Sequence, residues 1–102
     1  MSISMTLEEL DNRRKRLIFR SWHRGTREMD LIMGTFAETH VPSMDVVALD
    51  MYEELLHTPD PDVYDWLSGQ KPVPANMINP VLEKLLCHDY AKHRAAKDDA
   101  SA

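Results

Sequence analysis

Trp22-His23-Arg24-Gly25-Thr26-Arg27-Glu28-Met29-Asp30 separates two stretches of helical periodicity, and the reading of this segment decides the fold. Glycine reaches left-handed backbone at no steric cost, so Gly25 is expected to break the chain sharply. The pattern predicts one helix over about 7–23 and a second over about 27–39. Arg24 is placed to meet the carbonyl end of one helix, and Glu28 the positive N-terminus of the next.

Upstream, Thr6-Leu7-Glu8-Glu9 has the form of a capping box, in which Thr6 accepts a backbone N–H and Glu9 reaches back to the cap. Leu7, Leu10, Leu17, Ile18 and Trp22 form a partial apolar stripe, with the arginines expected largely on the opposite side. Downstream, Met29, Ile32, Met33 and Phe36 recur at helical spacing. Val41-Pro42 is expected to end that helix, because a residue before proline is pushed out of the helical region.

Ser43 is the expected cap of a third helix over about 44–57, with Val46, Leu49, Met51, Tyr52, Leu55 and Leu56 mostly inward. Asp60-Pro61 opens a short fourth helix as cap and first-turn proline, Gly69 stops it, and Trp66 and Leu67 are its expected anchors. A connector carries Pro72 and Pro74. A fifth helix starts at Asn79-Pro80 and is expected to turn Val81, Leu82, Leu85, Leu86 and Tyr90 inward. No segment alternates like a strand. The expected fold is all-α, a small single-domain bundle of about five helices over 6–93, with flexible termini at 1–5 and 94–102.

At 102 residues the chain is one domain that buries ~60–65% of its unfolded surface, too little for a large internal catalytic cavity. The single cysteine, Cys87, cannot form an intramolecular disulfide, which points to a reducing compartment, with the cytoplasm expected. Residues 1–10 hold two acids and no base, and no apolar run is long enough for a signal peptide or membrane helix, so no targeting segment is expected. Net charge is −5, yet Arg13, Arg14, Lys15, Arg16, Arg20, Arg24 and Arg27 crowd the first third, and between Glu28 and Gln70 there is no lysine or arginine. Such asymmetry favours oriented docking over general stickiness.

The sequence contains no phosphate-cradling glycine loop, dinucleotide fingerprint, His-Glu-x-x-His or Cys-x-x-Cys pair. Cys87, His88, Asp89 and His93 suggest metal ligation only weakly. Cys87 is expected as a small core residue, the histidines as a solvated helix face, and no metal is expected. The basic first helix admits a rival reading as a nucleic-acid-binding or regulatory surface. Against it stand the acidic remainder and the lack of a recognition helix, so no nucleic acid is expected as a partner.

Arg24-Gly25-x-x-Glu28, followed by Met29-Asp30, by Tyr52-Glu53-Glu54-Leu55-Leu56 and by Asp60-Pro61-Asp62-Val63-Tyr64-Asp65-Trp66-Leu67-Ser68-Gly69, resembles the succinate dehydrogenase flavinylation factor family, called succinate dehydrogenase assembly factor 2 in mitochondria. The resemblance runs from about Arg13 to the Leu85 region. It implies a small helical assembly factor, not an enzyme, that binds the flavoprotein subunit of succinate dehydrogenase, and in some members that of fumarate reductase. The factor promotes covalent attachment of FAD to a histidine of that partner and holds no flavin stably itself. The resemblance places the partner-binding surface at Arg24, Gly25 and Glu28, with His23 and Asp30 as neighbours. Arg24 offers planar, bidentate recognition of a carboxylate or carbonyls. Gly25 permits the turn and close approach, and Glu28 either binds the partner or braces Arg24. The chain departs from many relatives in the charged tail after His93 and in His57-Thr58-Pro59, neither of which touches the motif.

Overall fold

A computed structural model describes residues 6–88, and the expectations for the termini and for Asp89, Tyr90 and His93 lie outside them. Five α-helices are present among the described residues, and no strand. Helix α1 spans Leu7–Ser21, and its capping box is formed in both directions: Glu9 N donates to Thr6 Oγ1 (3.1 Å) and Thr6 N to Glu9 Oε1 (3.0 Å). Helix α2, Arg27–His40, is capped by Thr26, whose hydroxyl accepts from Met29 N. It is the central element, burying every residue from Ile32 to Ala37.

The exit from α2 differs from the expectation. Val41 keeps helical dihedrals (φ −59°, ψ −38°) despite the following proline, and Val41–Ser43 form one tight 3-10 turn. The chain becomes extended only at Met44 (ψ 136°), so Asp45, not Ser43, caps helix α3, Val46–Leu56, by accepting from Ala48 N at 2.9 Å. Val41 and Met44 are both buried, and that burial holds the turn in place against the pre-proline preference.

Helix α4, Asp60–Ser68, starts one residue earlier than expected. Pro59 stands at the cap and Asp60 is the first helical residue, while Gly69, at φ +79°, supplies the left-handed terminus. Its one fully buried side chain is Val63, with Trp66 and Leu67 half-buried beside it. A second 3-10 turn, Ala75–Met77, leads to α5, Pro80–Leu86, capped by Asn79. Leu7, Val46 and Leu86, assigned inward by periodicity, are exposed, because all three sit at helix ends that overhang the core.

Two contacts lock the helix pairs. Between α1 and α2, the Trp22 ring lies across Gly34, with the indole donating to Glu38 Oε2 at 2.7 Å. A Cβ on Gly34 would come 2.1 Å from Trp22 Cδ2. Between α1 and α3, buried Ser21 donates to Leu17 O (2.7 Å) and so accepts from the Tyr52 hydroxyl (2.5 Å). Tyr52 is fully enclosed and packs on Phe36, whose ring also meets His40 and His88. His88 bonds Thr35 Oγ1 at 2.8 Å and is half-buried rather than on a solvated face, whereas Cys87 is exposed rather than in the core.

Gly34→Ala is expected to destabilise the fold by about 1–3 kcal/mol, since Trp22 can retreat only by giving up its bond to Glu38; urea unfolding with an unchanged denaturant slope checks this. Burial pushes the Tyr52 phenol up to about 12. Its folded value is raised above the unfolded one, so this stabilisation is full below about pH 10 and is lost as pH rises through 10 to 12, by about 2–3 kcal/mol. Tyr52→Phe should flatten unfolding stability across that window while costing about 1 kcal/mol at pH 8 through the missing bond to Ser21.

Candidate functional site

The α1–α2 turn is built by its own backbone and by one carboxylate. After α1 ends at Ser21, Gly25 adopts φ +122°, a conformation that strains any side chain, although a Cβ there would meet nothing within 4 Å. Asp30, in the first turn of α2, accepts from the backbone N–H of Arg24 (2.5 Å) and of Gly25 (3.2 Å). The turn is thereby closed onto the N-terminus of the helix that follows it, where a carboxylate is electrostatically favoured.

Closing the turn points the Arg24 side chain inward across the bundle. Its guanidinium donates through Nη1 to Leu56 O (2.5 Å), through Nη2 to Thr58 O (2.9 Å) and through Nε to Asp60 Oδ1 (2.8 Å). Nη2 also lies 2.6 Å from Asp60 Oδ1, and the two side chains are only 12% and 19% exposed. Arg24 therefore does meet the carbonyl end of a helix, that of α3, and at the same time binds the first residue of α4. Asp60, read from the sequence as a cap, is an ion-pair partner instead. The expectation that His57-Thr58-Pro59 does not touch the motif is wrong: the Thr58 carbonyl accepts from Arg24.

Sequence reasoning grouped His23, Arg24, Gly25, Glu28 and Asp30, and the structure brings all five to one corner of the molecule, with different roles. Asp30 and Arg24 face inward. His23 and Gly25 are exposed, and Glu28 is half-buried in the first turn of α2. The His23 ring stacks on Phe19 with centroids 4.0 Å apart and planes at 21°. Its Nδ1 lies 2.7 Å from Phe19 O, and since a carbonyl only accepts, Nδ1 carries the proton.

The arginines of α1 are not simply on the solvent side. Arg13 pairs with Asp50 (2.7 Å) and Glu53 (2.9 Å), Arg20 reaches Glu53 (3.4 Å), and Arg14 donates to Met44 O (2.7 Å). Hydrogen bonding to Arg13 holds the Glu53 carboxyl below its ordinary range, against a smaller opposing effect of burial. Three of the cations behind the nucleic-acid reading are thus committed to joining α1 to α3 and to the turn before it. Among the described residues no group of three histidine, cysteine, aspartate or glutamate side chains is arranged to hold a metal ion, and no helix is long and apolar enough to cross a membrane.

The sequence profile described as the flavinator of succinate dehydrogenase matches residues 15–89, which contain the Arg24 turn and both of its anchoring helices. The chain belongs to this family. Among its relatives, the FAD assembly factor SdhE of Acetobacter pasteurianus is 39% identical over 79 residues, covering 78% of this chain and 72% of that protein. The mitochondrial succinate dehydrogenase assembly factor 2 of Aedes aegypti is 37% identical over 83 residues, 79% of this chain and 52% of that protein. That of Dictyostelium discoideum is 34% identical over 88 residues, 86% of this chain and 62% of that protein. The chain thus spans little more than half the length of these two mitochondrial relatives.

For this flavinator-family member, Arg24→Ala is expected to lower stability by about 1.5–3 kcal/mol, the range for charge-assisted bonds whose removal strands partly buried partners. Arg24→Lys should recover less than half, because one ammonium cannot span two carbonyls and a carboxylate. Chemical denaturation of the three proteins checks both expectations.

Proposed function

We propose that this protein is an assembly factor that docks transiently on the flavoprotein subunit of succinate dehydrogenase and promotes the covalent attachment of FAD. The observation that carries the reading is the Arg24 clamp within a chain of the flavinator family. Three guanidinium bonds from Arg24 and two backbone bonds to the Asp30 carboxylate hold the turn 23–26 in a fixed shape, with His23, Gly25 and Thr26 facing solvent. A preorganised surface loses little entropy on binding, which suits a factor that must recognise one partner and then leave.

In this reading Arg24 and Asp30 act through the backbone they fix, while His23, Gly25 and Glu28 form the part of the surface that meets the flavoprotein. A side chain at Gly25 would both strain the turn and project toward the partner. The factor contributes no redox or nucleophilic group. The covalent bond forms on a histidine of the flavoprotein, and the factor favours the arrangement in which that histidine and FAD are close and oriented. The same surface serves the flavoprotein of fumarate reductase where a cell has one. FAD stays with the client, so the purified factor is expected to be colourless, and we place its work in the cytoplasm.

Deletion of the gene is expected to leave succinate dehydrogenase flavoprotein with little covalent flavin, seen as lost in-gel flavin fluorescence, and the wild-type gene should restore it. Normal fluorescence in a deletion strain with no second copy of the factor would refute the proposal. A stoichiometric yellow flavin on the purified protein would refute the part that leaves FAD with the client.

A further inference from the structure

We infer that the outward face of α1 extends the docking surface and receives an acidic segment of the flavoprotein client, with Phe19 as its apolar anchor. This rests on the function proposed above and adds the chemistry of the partner segment. At 100° per residue Lys15, Arg16 and Phe19 share about a 100° arc of α1, His23 follows just past the helix end and stacks on Phe19, and all four are exposed. The face runs directly into the turn at Gly25.

A lone exposed aromatic on a surface needs no explanation. Phe19 differs because, while 63% exposed, it is held by the His23 ring stacked on it, which is itself tied back to the Phe19 carbonyl. The aromatic platform is rigid before any partner arrives. With Nδ1 donating to the Phe19 carbonyl, Nε2 is the ring nitrogen left facing outward at the platform's edge.

The cations of this region are sorted by face. Arg13, Arg14, Arg20 and Arg24 are bonded within the fold, whereas Lys15, Arg16 and Arg27 form no ion pair among the described residues. The chain as a whole carries −5 and has no lysine or arginine between Glu28 and Gln70. An acidic partner segment is therefore repelled by most of the molecule and drawn to this one face, which fixes the orientation of encounter. An aromatic held by its stacked neighbour and flanked along the helix by exposed Lys15 and Arg16 matches the anchor-and-rim arrangement of interaction hot spots.

The test is binding of the purified succinate dehydrogenase flavoprotein subunit to the full chain at low and physiological salt, with thermal unfolding measured in parallel. Phe19→Ala is expected to weaken binding about 10- to 30-fold. The Lys15→Glu, Arg16→Glu double variant should weaken it at least as much and reduce the salt dependence. Melting temperatures should stay within about 2 °C of wild type, as befits surface positions. If Phe19→Ala melts lower than that, the double variant, which alters only exposed side chains, decides. Wild-type capture unaffected by these changes overturns the inference and leaves the proposed function standing. Failure of the wild-type chain to capture the flavoprotein overturns both. Binding of a short DNA duplex at physiological salt as tight as that of the flavoprotein, lost in the same variants, would reassign the face to phosphates and overturn the acidic-segment proposal.

Discussion

A single guanidinium joins three chain segments that are otherwise far apart in sequence. Arg24 leaves the α1–α2 turn, closes over the carbonyls of Leu56, the last residue of α3, and of Thr58 just beyond it, and pairs with Asp60 at the start of α4. Each contact puts a positive charge where a helix end is negative, or beside the carboxylate of the next helix. The corner is enclosed enough that water replaces the bonds poorly, yet open enough that the charges are not fully stripped of solvent. Such pairs set geometry more strongly than they set total stability. Their effect here is to fix where the turn sits on the bundle. In a domain this small, with a modest core, polar cross-links of this kind decide which of several helix arrangements is kept.

The other cross-links follow the same plan on a smaller scale. Arg13 and Arg20 converge on Glu53, Arg14 covers the Met44 carbonyl before α3 begins, and Ser21 and Tyr52 meet inside the core. All originate on α1, and all reach α3 or its approach. The apolar contacts between α1 and α2, by contrast, depend on close approach at Gly34 beneath Trp22. Helix α1 is thus held to one neighbour by charge and hydroxyl pairs and to the other by shape, which leaves its remaining face without any structural duty.

What was legible in the sequence divides by range. The Thr6 capping box, the Gly25 break, the Gly69 terminus and the Asn79-Pro80 start are local chemistry within four residues, and each stands where periodicity and turn preferences put it. The helix start at Asp45 was missed because Ser43 satisfies the same local rule, and only the burial of Val41 and Met44 decides between them. Asp60 was misread for a related reason: Asp-Pro at a helix start is a sufficient local explanation, and its partner lies 36 residues away. Sequence grouped the five motif residues correctly in space, but it carried no sign of which would face inward. That depends on the direction the turn takes, which Asp30 sets through two backbone bonds.

The inward direction of Arg24 changes how the motif has to be understood. An arginine bonded at every nitrogen to its own fold presents little of itself to a partner, yet its removal loosens the surface a partner would meet. Loss of capture in an Arg24 variant therefore reports on the turn as much as on direct contact. Phe19, Lys15 and Arg16 are free of this ambiguity, because none of them ties helices together. A surface mounted by partly buried, internally bonded charges and edged by exposed ones lets stability and recognition be altered separately: the inner set of cations holds the platform, and the outer set addresses the partner. The division costs a short chain nothing in length, since Arg13, Arg14 and Arg20 of the inner set and Lys15 and Arg16 of the outer set share one helix whose 3.6-residue period presents them to different sides.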